Sequence, residues 1–326
     1  MGSKGTRLPA RNTDPNMLNP AYYSLGTLLN SSITSAAVLA AGYKSPYPGF
    51  NGSLAQALRP FPQYVTSLAG ALSSATIGNS TYHSLQTKLE KRFSKGLFAE
   101  TVFTWAKNLA DSFSTSVGNA GQLGRDNYNR SLDKSLVPYG RPSKFVAVFS
   151  YELPFGPGKK LLNVSGLVGK VIGGWQVNGI VTYSDGVPIQ VTAPQSLPLN
   201  GGPQTPNTVA GVAQKGTWDG AFDPAKNRYL NIAAFSTPAP YTFGTAGLYL
   251  PNVFSPNYYN EDLALLKNTK IRERFELQFR LEAFDAFNRV VFAAPASNVG
   301  TAATFGVVSS QTNAPRNGQI AMKLNF

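Results

Sequence analysis

Hydrophobic and polar residues alternate with a period of two in several stretches of this chain. The clearest stretch is FELQFRLEAF, Phe275–Phe284, where phenylalanine, leucine or alanine at every second position alternates with charged or amide residues over most of its length. Successive side chains of a β-strand point to opposite faces, so the pattern predicts a strand with one apolar and one polar face. A helix would spread the same residues around its circumference.

The same alternation predicts six further strands. They lie at Tyr82–Phe93, Leu97–Lys107, Lys144–Leu153, Trp175–Ser184, Glu261–Lys267 and Gln319–Phe326. Most of them are near the 9–11 residues with which a tilted strand crosses a bilayer. The chain has no apolar run of the roughly 18 residues that a spanning helix needs, so a membrane span is expected only from strands.

The predicted connections alternate in length. Short ones lie at Ser94–Gly96 and Asn268–Arg274, a medium one at Pro154–Gly174, and long ones at about residues 108–143, 190–260 and 289–317. Such long irregular loops are uncommon in compact soluble domains but typical of outer-membrane barrels. We therefore expect an all-β fold, an antiparallel transmembrane β-barrel segment over residues 81–326. Residues 1–80 are expected to be an extracellular loop region before the first strand.

Aromatic residues fall at both ends of the predicted strands. Near the short connections they are Phe93, Tyr151, Trp175, Phe275 and Phe326; near the long loops they are Trp105, Phe145, Tyr183 and Phe287. Two such bands are expected where a barrel meets the two membrane–water interfaces. The alternative is that these rings fill the core of a soluble sandwich.

Composition excludes several kinds of site. The 326 residues contain no cysteine and one histidine, which excludes disulfides and any metal site built on two histidines. Lysine and arginine give a net charge of +13, but they are scattered, so nucleic acid is not an expected partner. No pattern predicts an enzyme, a cofactor or a metal centre.

Charged residues on the polar sides of the predicted strands are the candidate ligand-binding residues. They are Lys88, Glu90, Arg92, Glu100, Glu152, Glu276, Arg280 and Glu282. The alternative interpretation of the carboxylates is as acid–base pairs for catalysis. Because alternation places all of them on one side, we interpret them as lining a wet lumen where they can contact a ligand.

The strand count indicates part of a larger barrel. Backbone groups in lipid must all be paired, so a barrel has to close, and bacterial single-chain barrels have an even number of strands. Seven strands in up-and-down order cannot close by antiparallel pairing. We therefore expect that further N-terminal strands complete the barrel.

The order of several motifs resembles the C-terminal barrel region of TonB-dependent receptors, in particular the Oar-like group. The matching pieces include GNSTYHSLQTKLEKRFSKGL, SYELPFGPGKK, GGWQVNGIVTYSDGVPIQV, FELQFRLEAFDAFNRVVFAAP and the terminal QIAMKLNF. The resemblance implies a plugged barrel of about 22 strands in the cell outer membrane that imports a scarce ligand. It also implies contact with outer-membrane lipid, and it makes the terminal Phe326 resemble the signal that the barrel-assembly machinery reads.

Parts of the family pattern are not seen in this sequence. We find no plug domain, TonB box or signal peptide, so TonB is expected to act only through an N-terminal part outside these residues. The sequence leaves the ligand open among siderophore, cobalamin, oligosaccharide and peptide. Two alternatives remain: a structural or adhesive outer-membrane protein without transport, and a soluble carbohydrate-binding β-sandwich whose apolar faces a second sheet would cover.

Overall fold

Seven long β-strands form the main sheet of the protein. The computed structural model describes residues 14–65, 78–112, 124–272 and 275–326, with the short strands Ser3–Lys4, Arg11–Asn12 and Ser74–Ala75. The long strands are β1 (Ser80–Ser94), β2 (Leu97–Ala110), β3 (Ser143–Glu152), β4 (Trp175–Ser184), β5 (Tyr258–Arg272), β6 (Phe275–Phe284) and β7 (Asn317–Asn325).

Each long strand pairs antiparallel with the next along the chain, from β1 to β7. Two short strands complete a nine-stranded sheet, Ser3–Lys4 beside β1 and Ser135–Leu136 beside β2. Over the described residues β1 and β7 do not pair with each other, so the sheet is open. In this up-and-down order they run in the same direction, and closing directly would require a parallel pair.

The predicted strands are confirmed, and two of them, Trp175–Ser184 and Phe275–Phe284, have the predicted bounds. The prediction of a connection at Asn268–Arg274 is wrong as far as residue 272, because β5 continues to Arg272; residues 273 and 274 lie outside the described part. The apolar positions of β5 are occupied there by Lys267 and Thr269, which interrupts the apolar alternation. The strand pairing continues nevertheless, with Thr269 opposite Leu277 and, on the polar face, Gln278 Nε2 donating to Asn268 Oδ1 at 3.0 Å.

The register divides the sheet into an apolar face and a polar face. Cross-strand partners share a face, so Leu85 lies beside Trp105 and Leu281 beside Ile320 on the apolar face. Large side chains of this face are uncovered in the described structure, for example Leu89 with 71 % of its surface exposed. The opposite, polar face carries pairs such as Ser150 beside Asn178.

Aromatic residues of the apolar face occupy both strand ends, as predicted. At the long-loop end the rings of Phe145, Tyr183 and Tyr259 follow one another across three strands, with centroids 6.4 and 5.5 Å apart. At the other end lie Tyr151 and Trp175. Phe326 lies just beyond β7 and is 95 % exposed.

The long connections contain most of the buried apolar residues. We call the described residues 14–65, 124–142, 185–257 and 285–316 the loop layer. It contains the helices α1 (Ala36–Ala40) and α2 (Leu54–Ala57), three 3-10 helices and one short strand pair. The 3-10 helices are Pro20–Asn30, Arg130–Asp133 and Ile232–Ala234, and the pair is Asn207–Thr208 with Phe235–Ser236. A further helix, α3 (Gly166–Ile172), connects β3 to β4.

Two large clusters of side chains hold the loop layer together, and a smaller one joins Val137 and Leu248 to Ala110 of β2. The first joins residues 189–253 to residues 305–308 around Leu230, Leu250 and Phe305, each at most 2 % exposed. The second packs the N-terminal helices around Leu18, Leu29 and Leu54 and includes Leu197 from a distant loop. The connections therefore fold as a packed layer, although little of it is regular secondary structure. Among the described residues, no helix has the length and apolarity needed to span a membrane.

Candidate functional site

The polar face brings four of the predicted site residues together at the short-connection end of β1 and β2. Glu90 lies directly opposite Glu100 in the register, and Lys88 lies beside them. Lys88 Nζ is 3.2 Å from a carboxylate oxygen of Glu90 and 2.9 Å from one of Glu100, and Arg92 Nε is 3.6 Å from Glu90. The two cations offset the repulsion between facing carboxylates, and the group remains open to solvent.

A second group of predicted residues lies on β6. Arg280 is 3.3 Å from Glu282, and Gln319 of β7 also donates a hydrogen bond to Glu282. Both charged residues line a groove of about 360 Å³ on the polar face, whose floor is apolar at Val148 and Ile180. This groove combines a hydrophobic surface with a few charged groups, as small-molecule sites commonly do.

The remaining predicted residues lie elsewhere on the polar face. Glu152 pairs with Lys159 at 2.8 Å near the short-connection end, and Glu276 lies opposite Asn325 in the register. The eight residues therefore share one face without forming one centre. Among the described residues there is no group of three or more histidine and acidic side chains placed to hold a metal ion.

A pocket that the sequence did not predict lies where the polar face meets the loop layer. It has a volume of about 300 Å³ and is lined by Tyr82 and Lys144 from the strands and by Tyr139, Arg141 and Phe254 from the loops. Arg141 is held by hydrogen bonds of 3.2 Å to Ser184 Oγ and 2.6 Å to the Asp185 carbonyl. Its aromatic walls and two cations suit a ligand with ring and anionic groups.

Two buried ion pairs stabilise the loop layer. Arg125, 3 % exposed, lies 3.7 Å from the carboxylate of Asp133 and donates to Thr205 Oγ1 at 2.7 Å and to the Ala246 carbonyl at 2.9 Å. Burial lowers the pKa of Arg125, and the Asp133 charge acts against that shift. Arg59 forms a similar pair with Asp14 at 3.5 Å. Arg125 thus ties residues 124–142 to residues 185–257, two loops that line the pocket, whereas the Arg59 pair lies within residues 14–65.

Sequence reasoning missed a buried carboxylate, Glu261, on the apolar face. Its Oε1 accepts a hydrogen bond of 2.6 Å from the Tyr183 hydroxyl and one of 2.7 Å from Arg289 Nε. Glu261 lies on β5 in phase with Leu263 and Leu265, and it is 1 % exposed. The sequence signal that could have identified this residue is a charged side chain at a position where the alternation predicts an apolar one. The contact ties β4 and β5 to the loop that follows β6.

Because the phenol of Tyr229 is buried, we predict that the loop layer loses stability at high pH. The Tyr229 hydroxyl donates to the Phe254 carbonyl at 2.8 Å, and burial raises its pKa to about 12 from 10.0. Below pH 10 Tyr229 is protonated in both the folded and the unfolded chain, and its contribution to stability is fully present. As pH rises from 10 to about 12, the phenol ionises first in the unfolded chain, so up to about 2–3 kcal/mol of the free energy of unfolding is lost.

Tyr229→Phe tests this assignment. We expect the wild-type melting temperature to fall more steeply than that of the variant between pH 10 and 12 in a pH series of thermal unfolding. Equal slopes for the two proteins would assign the alkaline loss to other groups. Tyr23, whose pKa is also raised to about 12 by burial, provides a matched second phenol in the other cluster.

Comparison with known proteins identifies the family. A family model described as "Outer membrane beta barrel domain" matches residues 1–319, which is nearly the whole chain. Searches of curated proteins and of solved structures gave no match. The family match agrees with the antiparallel sheet and its uncovered apolar face, and it places the protein in the outer membrane. The chain belongs to the outer membrane β-barrel domain family.

Proposed function

We propose that the chain forms barrel strands of an Oar-like, TonB-dependent receptor that imports a scarce ligand. The observation that carries the proposal is the packed loop layer beside the polar face, with a pocket of about 300 Å³ between them. A plain pore needs no such structured layer, whereas a receptor must hold its capturing groups in place. The apolar face then contacts outer-membrane lipid and the polar face lines the lumen.

The open sheet supports a larger barrel. β1 and β7 run in the same direction, so additional strands between them would allow closure with antiparallel pairs throughout. In this proposal the complete barrel has about 22 strands and encloses a plug, and TonB acts through that plug. Phe326 next to β7 serves as the recognition signal for barrel assembly. The chain is assigned no enzymatic activity.

The pocket residues are proposed to make the first contact with ligand. Tyr139 is 54 % exposed, and Lys144 is exposed where β3 begins, so both can reach an incoming molecule. Charged residues of the lumen, including Lys88 and Arg280, would contact it later, as it passes along the polar face. The polar face is not proposed as a catalytic centre, because its acidic residues are dispersed or already paired with cations.

Uptake assays test the proposal with the complete gene in its host. Radiolabelled ferrichrome, cyanocobalamin and maltohexaose are the probes, measured with and without a protonophore in wild-type and deletion strains. We expect the uptake of one probe to require the gene and to stop with the protonophore. Tyr139→Ala should reduce that uptake, whereas Tyr64→Ala, another exposed tyrosine of the loop layer that does not line the pocket, should not.

A structural or adhesive surface protein is the second candidate function. The same packed loop layer would suit it, since a stable outer surface can bind a partner without any transport. If no probe depends on the gene but surface attachment of the cells does, the adhesive function is favoured. The third alternative, a soluble β-sandwich, is wrong: the family is an outer-membrane one, and no second sheet covers the apolar face in the described structure.

A further inference from the structure

The connection between β3 and β4, residues 154–174, exposes an unusual number of aliphatic side chains. We call it the turn segment. Leu167, Val168 and Val171 lie on one side of α3, because residues three and four apart are neighbours on a helix surface. All three are exposed, Leu167 by 83 % and Val171 by 68 %. We call these three residues the apolar stripe.

The apolar side of α3 faces outward, whereas a surface helix of a water-soluble protein turns its apolar side toward the core. Gly169 is buried on the side facing the protein, where a Cβ would lie 2.1 Å from the Val164 carbonyl oxygen and 2.9 Å from Pro157. A glycine is therefore needed on the inner side, while leucine and valine point outward. Such an arrangement is unfavourable in water and favourable where the outer side meets an apolar environment.

Contacts from the strands place the helix at the end of the apolar face. Trp175 and Lys267 are register partners on that face. Trp175 Nε1 donates to the Val171 carbonyl at 3.1 Å, and Lys267 Nζ donates to the Lys170 carbonyl at 2.6 Å and also to that of Gly173. The C-terminal end of α3 is thus anchored on the lipid-facing side of the sheet, so the apolar stripe continues that surface beyond the strand ends.

Charge at this end also fits a phospholipid surface. Lys160 and Lys170 are exposed in the turn segment, and Lys170 flanks the apolar stripe on the helix. A lysine stem can lie along apolar surface while its ammonium reaches the headgroup phosphates. Trp175, with its ring on the apolar face, is the residue type enriched at this depth of a bilayer.

We propose that the turn segment is an interfacial membrane anchor, whose apolar stripe inserts into the phospholipid leaflet on the short-connection side of the barrel. The helix lies on the membrane and does not span it, as amphipathic interfacial helices do. Its occupant is the lipid interface, because the stripe is continuous with the lipid-facing surface of the sheet. The anchor would fix the tilt and depth of β3 and β4. This inference follows from the outer-membrane family and does not depend on transport.

Site-directed spin labelling tests the anchor. The chain contains no cysteine, so a single introduced cysteine is the only site that the nitroxide reagent modifies. The full-length protein is reconstituted into phosphatidylethanolamine–phosphatidylglycerol vesicles with a nitroxide at Leu167→Cys or Val171→Cys. References are Ala225→Cys, exposed in the loop layer, and Leu281→Cys on the apolar face of β6. Collision with oxygen and with a water-soluble nickel chelate reports the environment of each label.

We expect the oxygen-to-nickel accessibility ratio at Leu167 and Val171 to exceed that at Ala225 several-fold and to approach that at Leu281. A ratio equal to that at Ala225 would place the stripe in water and overturn the proposal. Low accessibility to both reagents would mean that protein covers the apolar stripe, and this would also overturn the proposal. Spin–spin broadening would then identify the covering protein as a second copy of this chain. Leu167 is largely exposed, so its replacement should not impair folding.

Discussion

Replacing Arg125 by alanine should release the loops that surround the pocket, with an expected loss of about 3–5 kcal/mol of local stability. The substitution removes hydrogen bonds to Thr205 and Ala246 and leaves Asp133 as a buried carboxylate without its guanidinium. Both members of the pair are almost fully buried, at 3 % and 1 % exposure, so water cannot replace the lost partner without opening the structure.

Hydrogen–deuterium exchange of the full-length protein in detergent micelles measures the effect. Peptides around Arg125, Thr205 and Ala246 should exchange roughly 100-fold faster or more in the variant, while β6 and β7 should be unchanged. Replacing Arg125 with methionine and Asp133 with asparagine together should recover part of the protection, because no charge is then left buried. Unchanged exchange in the single variant would show that other contacts join these loops.

Lys226→Ala provides the control for charge removal in the same layer. Lys226 pairs with Asp223 at 3.3 Å, but its side chain is 81 % exposed. An exposed ion pair contributes about 0–1 kcal/mol, so the control should leave the exchange pattern nearly unchanged.

The strands could be predicted from sequence because their signal is local. Each strand has one mainly apolar and one mainly polar side, so most of its length shows a period of two in the sequence. β5 was predicted too short because Lys267 and Thr269 stand at its apolar positions, yet the strand continues through them opposite Phe279 and Leu277. Whether a polar residue continues a strand depends on its partner in the neighbouring strand, and a single stretch of sequence does not contain that partner.

The loop layer could not be predicted in the same way. Its clusters join residues far apart in the chain: Leu197 packs with the N-terminal helices, and Phe305 packs with Leu230 and Leu250. Such packing produces no periodic pattern of hydrophobic residues in the sequence, and these loops contain little regular secondary structure that a pattern could predict. The pocket was missed for the same reason, since Tyr82 and Tyr139 meet only when a loop folds over the strand ends. The eight charged candidates were correctly grouped on one face, but their division into separate clusters depends on the register.

Glu261 is a charged residue at a position where the alternation of β5 predicts an apolar one, and this departure marks a structural contact. It breaks the alternation at the start of β5, where an apolar side chain would be expected beside Val181. A carboxylate in this position costs free energy unless its partners are fixed, and its nearby partners come from β4 and from the loop after β6. Asp285 and Asn313 hold that loop, because Asp285 accepts a hydrogen bond from the Arg289 amide at 3.0 Å and another from the Asn313 side chain at 3.0 Å.

Replacing Arg289 by alanine should therefore destabilise the junction between the strands and the loop layer. Glu261 keeps only the Tyr183 hydroxyl as a side-chain donor to its Oε1, while its Oε2 is buried without a hydrogen bond. We place the cost below that of a fully buried pair because Arg289 is about half exposed and water can enter where its guanidinium was. The midpoint of thermal unfolding in micelles should fall by several degrees.

Combining Arg289→Ala with Glu261→Gln separates a charge effect from a loss of packing. The neutral amide can still accept from Tyr183, and it no longer leaves a buried carboxylate without a cation, so the double variant should melt above the single one. Arg316→Ala is the matched control, because Arg316 lies in the same connection and is exposed. If the single and double variants melt together, the Glu261 charge does not determine stability at this junction, and the contact of Arg289 with the Phe287 ring becomes the remaining explanation.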